Sequence, residues 1–243
     1  MLMSNDLLTI GQAAKYLNVS QDTLRRWDAS GRLTSIRSSG GHRYYQRSVL
    51  ERFKKELFRL ATIWASSGMP PEIPSTDHSE TQDSFKARLQ RMAADINMNP
   101  DLALQAALVP AITGEIGNNS FDHNIGNWPD ETGVFFAYDL NKREVILADR
   151  GVGIRSTLSR VKEDIETDVQ ALNIAMTKII SGRSDEHRGN GLKYVREVAI
   201  DYPIGVTLQS GSAVAIIQKD DPKELKIMPA DQYIRGVLAR IDY

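Results

Sequence analysis

Apolar positions along this 243-residue chain fall into two regimes. Up to about residue 65 they recur at helical spacing in short bursts. Ile10, Ala13, Ala14 and Leu17 lie three and four apart behind Thr9, which is placed to cap them, and Asn18 is a stop. Ser20 caps a second helix over 21–30, with Leu24 and Trp27 on its buried stripe, Arg25 and Arg26 turned away, and Gly31 at its end. Residues 33–37 and 42–45 are short extended runs around Ser38-Ser39-Gly40-Gly41, which predicts a hairpin. A third helix over 48–63 carries Val49, Leu50, Phe53, Leu57 and Leu60. Two helices across a tight turn, then a hairpin and a helix, make a winged helix-turn-helix.

Residues 66–83 (SSGMPPEIPSTDHSETQD) interrupt the pattern with three prolines and few apolar positions, and read as a linker that leaves His78 exposed and inert. The second regime follows. Residues 84–97 form a helix with Phe85, Leu89, Met92 and Ile96 on one side. Residues 101–124 are helical too, but Pro110 must kink or break them, and so is placed to start the part bearing Glu115. Residues 133–139 and 144–148 pair as a hairpin, 157–180 are mostly helical, and 192–201 are a shorter helix. Residues 206–209 and 213–218 flank Ser210-Gly211-Ser212 as another hairpin, and 234–241 are a last strand. Helices with an antiparallel or mixed sheet predict an α/β sandwich. The chain is thus expected to be α+β, with a winged helix-turn-helix over 1–65, a linker over 66–83 and a second domain over 84–243.

Composition adds two points. With 41% apolar and 25% charged residues the chain is ordinary globular material. It has no cysteine, hence no disulfide and no thiolate metal site, and no apolar run of membrane-spanning length. No signal peptide is visible, so a cytoplasmic location is expected. The net charge of −1 hides an asymmetry: residues 1–60 hold 11 Lys/Arg against 5 Asp/Glu, which leaves 19 against 26 for the rest. A basic first module fits an anionic partner such as duplex DNA.

Three stretches carry candidate chemistry. Glu115, Asn119 and His123 fall four apart, so a helix stacks them on one face. A carboxylate, a carboxamide and an imidazole can together hold a metal ion and a water; the same spacing also suits a solvated polar face. Asp149-Arg150-Gly151-Val152-Gly153 closes an apolar strand, as a plain turn or as a site. Arg188-Gly189-Asn190-Gly191-Leu192 opens a helix, where glycines let backbone N–H groups approach phosphate at a positive dipole end. Arg183, Arg188 and Lys193 are candidate charges beside those phosphates.

In this order the three stretches resemble the GHKL ATPase superfamily, whose pattern is E-x-x-x-N, then D-x-G-x-G, then G-x-G-L. The resemblance covers residues 84–243 and implies a Bergerat-type fold that binds ATP with Mg2+. It implies that Asn119 ligates magnesium and that Glu115 acts as general base on water in members that hydrolyse ATP. It implies that Asp149 accepts a hydrogen bond from the adenine amino group, with Gly151 and Gly153 making room for the base. Arg188, Gly189, Gly191 and Leu192 then hold the phosphate side, and residues 155–188 are the ATP lid. His123 either touches phosphate, caps the site or is structural. Ser120 stands where the family usually has Ala. The superfamily includes histidine kinases, but none of His42, His78, His123 and His187 lies on the helix over 84–97, where a phosphoacceptor would be expected.

Within residues 7–56, Thr9-Ile10-Gly11-Gln12-Ala13-Ala14, Thr23-Leu24-Arg25-Arg26-Trp27, Gly31-Arg32-Leu33 and Gly40-Gly41-His42-Arg43-Tyr44-Tyr45 resemble MerR and excisionase-like DNA-binding domains. That resemblance implies a second helix in the major groove, with Arg25 or Arg26 at a base edge or phosphate. Arg37, His42 and Arg43 on the wing would lie beside the backbone or in the minor groove; otherwise these groups are solvated surface charge. Together the resemblances imply an ATP-responsive DNA-binding regulator, expected as a homodimer. The alternatives are a Ser/Thr protein kinase of the anti-sigma-factor type, or a regulatory component of a toxin–antitoxin or defence operon with a protein partner encoded nearby. Whether ATP is hydrolysed or only sensed stays open.

Overall fold

The computed structural model describes residues 7–17, 19–29, 33–38, 40–162, 164–178 and 191–243, without the side chains of residues 51, 52, 54–56 and 223. The chain divides into two compact units, Met1–Leu60 and Ala61–Tyr243. Among the described residues, no helix is long and apolar enough to cross a membrane.

The first unit is built from β1 (Leu7–Thr9), α1 (Ile10–Leu17), α2 (Gln21–Ala29), β2 (Ile36–Arg37), β3 (Arg43–Gln46) and the first part of α3 (Arg47–Ser66). Thr9 and Gln12 cap α1 reciprocally: the Gln12 N–H donates to Thr9 Oγ1 at 3.3 Å, and the Thr9 N–H to Gln12 Oε1 at 2.9 Å. The Thr23 N–H donates to Ser20 Oγ at 3.0 Å and starts α2. The predicted stripes meet in one core, where the tilted rings of Trp27 and Phe53 pack with centres 4.9 Å apart among Ala13, Leu24 and Tyr45. The wing has a third strand that sequence pattern did not reveal. β1 pairs antiparallel with β3, giving the order β1-β3-β2. Three residues with one buried side chain, Leu8, are too few to show a period. Asn18, Gly31 and Ser39, read as stops and turn, lie outside the described residues.

The second unit contains β4 (His78–Ser79), α4 (Gln82–Asn97), a single 3-10 turn (Pro100–Leu102) and α5 (Gln105–Asn124). These lead into the hairpin of β5 (Val134–Asp139) and β6 (Glu144–Asp149). Then come α6 (Gly153–Leu158), α7 (Asp168–Thr177), α8 (Gly191–Asp201), β7 (Gly205–Gln218) and β8 (Asp221–Asp242). The sheet order is β4-β5-β6-β8-β7, antiparallel throughout. Alternate sheet residues, among them Val134, Phe136, Val145 and Leu147, share a core with Phe85 and Met92 of α4, Ile112 and Ile116 of α5, Leu172 of α7 and Val195 of α8. The fold is α+β: a helical N-terminal region with a small sheet, and a C-terminal region of helices on a larger sheet.

Three expectations change. α5 runs unbroken through Pro110. Proline forfeits one backbone hydrogen bond, and the flanking buried Val109, Ile112 and Ile116 hold the helix in the core despite that loss. Residues 205–218 are one strand, not a hairpin: Gly211 (φ 59°) marks a register shift against β8, where the Ser212 N–H bonds Asp168 Oδ2 at 2.8 Å. A glycine inside a strand pattern fits a turn or a bulge equally well, and here it is a bulge. The stretch read as linker contains β4, whose Ser79 Oγ accepts from Arg88 Nη1 at 3.0 Å, while His78 Nε2 lies 2.9 Å from the Thr132 carbonyl oxygen. His78 is therefore half-buried and partnered rather than exposed.

Gly117 on α5 faces Phe85, which is 0% exposed; a Cβ there would lie 2.1 Å from the ring. Alanine favours a helix over glycine by about 1 kcal/mol, whereas overpacking costs about 1–3 kcal/mol. The net cost of about 0–2 kcal/mol is expected to lower the thermal midpoint of Gly117→Ala by up to roughly 8 °C. A raised midpoint in a thermal melt would show that the helix can part from Phe85 without loss.

Candidate functional site

α5, the loop after β6, α6 and the start of α8 enclose a cavity of about 440 Å3. Its walls are largely apolar, with Ile116, Ile154, Leu158, Leu192, Leu208 and Val237 among them. Asp149 lies at its floor, 2% exposed. Ser120 Oγ donates to its Oδ2 at 2.7 Å, and the Gly151 N–H donates to its Oδ1 at 2.8 Å. Burial pushes the Asp149 carboxyl up to about 6, although these bonds and one from the Val237 backbone pull the other way. A carboxylate so placed can accept a hydrogen bond from a ligand in a largely apolar space.

The loop that carries Asp149 is held by residues whose part was not visible in sequence. Asn124, 3% exposed, accepts the Val152 N–H at its Oδ1 (2.8 Å) and donates from Nδ2 to the Ser120 carbonyl (2.7 Å). It fills the space against Gly151, where a Cβ would come within 2.1 Å of it. Ser210 Oγ accepts the Ile154 N–H at 3.0 Å and donates to the Gly236 carbonyl at 2.7 Å. Gly236 (φ 74°) lies so close that a Cβ would stand 2.2 Å from Asp149 Oδ1. Asn124 is one residue beyond His123, and nothing in the sequence pairs it with a loop 28 residues away. Only the β6–β8 pairing brings Gly236 to Asp149.

Asn119 and His123 line the cavity together with Gly153, Gly191 and Leu192. Gly151 lies behind the wall against Asn124. Glu115 is exposed and stands beside Gly191, where a Cβ would meet its Oε2 at 2.4 Å; among the described residues it is not part of the cavity lining. His123 has an exposed edge, yet burial holds its imidazole below the ordinary value; Asp122 opposes this and Arg160 adds to it. Two lining cations escaped the sequence reading, Arg160 and Lys178. Lys193 is buried on α8, and that burial lowers its ammonium while Glu197 opposes the shift. Arg183, Arg188, Gly189 and Asn190 lie outside the described residues. Of the segment read as a lid, residues 155–158 end α6 and 168–177 form α7, with turns between.

In the first unit Arg25 and Arg26 are exposed on α2; Arg25 pairs with Asp22, and Arg26 Nη2 reaches Thr23 Oγ1 at 3.4 Å. Arg37 and Arg43 converge on Asp28, at 3.0 and 2.7 Å from its Oδ2, while its Oδ1 accepts the Ser35 N–H at 2.8 Å. Burial raises the Asp28 carboxyl, but the bonds from Ser35, Arg43 and Arg37 outweigh it and hold the group well below the carboxylate range. Asp28 thus ties α2 to the wing. His42 is exposed at the wing tip, next to the Gly41 turn (φ 77°).

The sequence profile of the MerR family regulatory proteins matches residues 9–45. The Type II methyltransferase M.Eco47II of Escherichia coli is 33% identical over 63 residues, which is 26% of this chain. The match spans 15% of the methyltransferase. The N-terminal region therefore carries a MerR-like winged helix-turn-helix motif.

The folded Asp149 carboxyl titrates above its ordinary value of 3.8, near 6. Its stabilising contribution is full below the unfolded value and is lost as pH rises through the folded one. Two units correspond to about 3 kcal/mol. Urea unfolding of wild type and Asp149→Asn from pH 4.5 to 8 is expected to show the wild type losing stability relative to the variant as pH rises to about 6, by about 2 kcal/mol of that total. A gap independent of pH would contradict a buried, raised carboxyl.

Proposed function

We propose that the chain is an ATP-responsive DNA-binding regulator. The first unit contacts duplex DNA, and the second, whose sheet takes in β4 from the 66–83 stretch, binds Mg-ATP as a GHKL module of the Bergerat type. One observation carries the nucleotide assignment: a buried carboxylate at the floor of an apolar cavity, with a glycine loop on one side and Asn119 on another. The volume lies within the range of small-molecule sites, and apolar walls with a single deep acceptor suit a flat aromatic base that bears an amino group.

The remaining lining sorts by charge. Asn119 and His123 lie one turn apart on α5, and Arg160 and Lys178 add positive charge to the same cavity. Arg160 and Lys178 supply an anionic tail with counter-charge, Asn119 and His123 offer it neutral hydrogen-bonding groups, and the α8 start supplies backbone donors. Gly191 leaves no room for a Cβ beside Glu115, so a phosphate there can approach the helix closely. Magnesium bound with ATP needs few protein oxygens, and the Asn119 carboxamide fits that need; it would supply charge neutralisation for the phosphates. Among the described residues no three His, Asp or Glu side chains converge, and the reading requires no such cluster. Glu115, one turn before Asn119 on α5 and beside Gly191 rather than in the cavity lining, would act as the general base on water in this reading.

On the DNA side, the MerR-like motif presents exposed Arg25 and Arg26 on its second helix and a wing braced by Asp28. Asp28 fixes one edge of the Arg37 and Arg43 guanidiniums and so orients both side chains on the wing. ATP alters DNA affinity only by binding the two states of the protein unequally.

Calorimetry with Mg-ATP, ADP and a non-hydrolysable analogue is expected to show saturable binding by wild type, weakened at least about tenfold in Asp149→Asn. Failure of wild type to bind any of the three would overturn the nucleotide assignment. Duplex affinity is expected to fall steeply with salt, and alanine at Arg25, Arg26 and Arg43 together to weaken binding and reduce the salt slope by about 2–3. An unchanged slope in that triple variant would place the DNA contact elsewhere.

A further inference from the structure

Asp149 and Arg150 are neighbours at the end of β6, and their side chains serve different surroundings. Asp149 meets Ser120 at the cavity. Arg150 is 0% exposed and bonds away from it. Its Nη1 donates to the Trp64 carbonyl, its Nη2 to the Gly68 carbonyl at 3.4 Å, and its Nε to Asp130 Oδ1 at 3.1 Å. Nη2 also lies 2.5 Å from Asp130 Oδ2, and the guanidinium stands 5.9 Å from the centre of the Trp64 ring. Trp64 packs against Phe135 at 6.4 Å, whereas the next residue on the strand, Phe136, packs against Phe85 of α4. Successive strand residues point to opposite faces, so Trp64 and the helical layer lie on different sides of the sheet.

The cluster also reaches the second strand at the cavity floor. Asp130 Oδ2 accepts from Arg235 Nη1 at 2.8 Å, and Arg235 precedes Gly236, the residue that clears space for the Asp149 carboxylate. Arg150 is taken wholly out of water whereas Asp130 keeps part of its carboxylate exposed, so the pair mainly offsets the desolvation of the guanidinium rather than adding net stability. It does impose a fixed geometry. The last turn of α3, with Trp64, is held to the residue beside Asp149, and α3 is the same helix that supplies Leu50 and Phe53 to the first unit's core.

We propose that Arg150 is a positioning residue that couples occupancy of the Asp149 cavity to the hold on the C-terminal turns of α3. A ligand that donates to Asp149 fixes the 149–153 turn. The shared peptide then fixes Arg150, and Arg150 fixes the Trp64 and Gly68 carbonyls through hydrogen bonds. Empty, the turn moves more freely and the helix end is held less tightly. The inference deepens the nucleotide reading and rests on it.

The test is hydrogen exchange by mass spectrometry on the full chain with and without Mg-ATP, for wild type, Arg150→Lys and Asp130→Asn, with calorimetry on each. Bound Mg-ATP is expected to slow exchange of residues 61–68 about tenfold in wild type. The slowing is expected to vanish in both variants although they still bind nucleotide, since neither residue lines the cavity. Asp130→Asn keeps the size of the side chain and serves if Arg150→Lys does not fold. No slowing in nucleotide-bound wild type, or slowing that persists in the variants, overturns the coupling and leaves the nucleotide reading standing. Loss of nucleotide binding in Asp130→Asn also overturns it, and makes the cluster a scaffold of the cavity. Absence of nucleotide binding by wild type overturns both.

Discussion

A carboxylate kept out of water at the end of a strand is the constraint around which the second unit is arranged. Asp149 is costly to bury, and each element near it offsets part of that cost or keeps it accessible to a ligand. Ser120 and the Gly151 and Val237 backbones donate to it. Asn124 holds the loop that bears it, and Gly236 has no side chain because the carboxylate occupies that space. Removing a donor would leave the charge less satisfied, and adding a methyl group at Gly236 would displace it. A protein with no use for this group would be simpler with an apolar residue here, since a neutral side chain carries no desolvation penalty. The arrangement makes physical sense if a ligand completes the hydrogen bonding of Asp149.

Asp28 does similar work in the first unit with the opposite balance. Its bonds to Ser35, Arg37 and Arg43 outweigh burial, so it stays ionised and braces the wing against α2. Arg25 and Arg26 remain on the exposed face of that helix. The two aspartates thus play different parts. One is satisfied within the protein and orders a surface; the other keeps an apolar cavity beside it.

Much of this was legible in the residue pattern, where the signal is local. Thr9 and Ser20 announce their helices because a cap bonds two or three residues away. The β5–β6 hairpin follows from two apolar runs around a polar turn. What could not be read depends on contacts between distant segments. Proline at 110 has a local effect that the surrounding core overrides, and Gly211 is a bulge only because β8 continues past it. At the site, spacing placed Glu115, Asn119 and His123 on one helix but not in one environment: Asn119 and His123 line the cavity, whereas Glu115 faces the start of α8. Asn124, Ser210, Gly236, Arg160 and Lys178 belong to no motif, and tertiary pairing alone brings them there. Arg150 reads as a turn residue in sequence, and its burial against Trp64 appears only once the fold is known.

The most direct test of the Asp149 assignment compares ATP with inosine triphosphate, which carries the same ribose and phosphates but a carbonyl oxygen where adenine has its amino group. A carboxylate acceptor facing that oxygen loses a charge-assisted hydrogen bond and gains a repulsion. Binding of the inosine nucleotide by wild type, measured by calorimetry at pH 7.5, should be weaker than that of ATP by about 10- to 150-fold. Equal affinity for the two would mean that Asp149 does not read the base, and the cavity would need a different ligand.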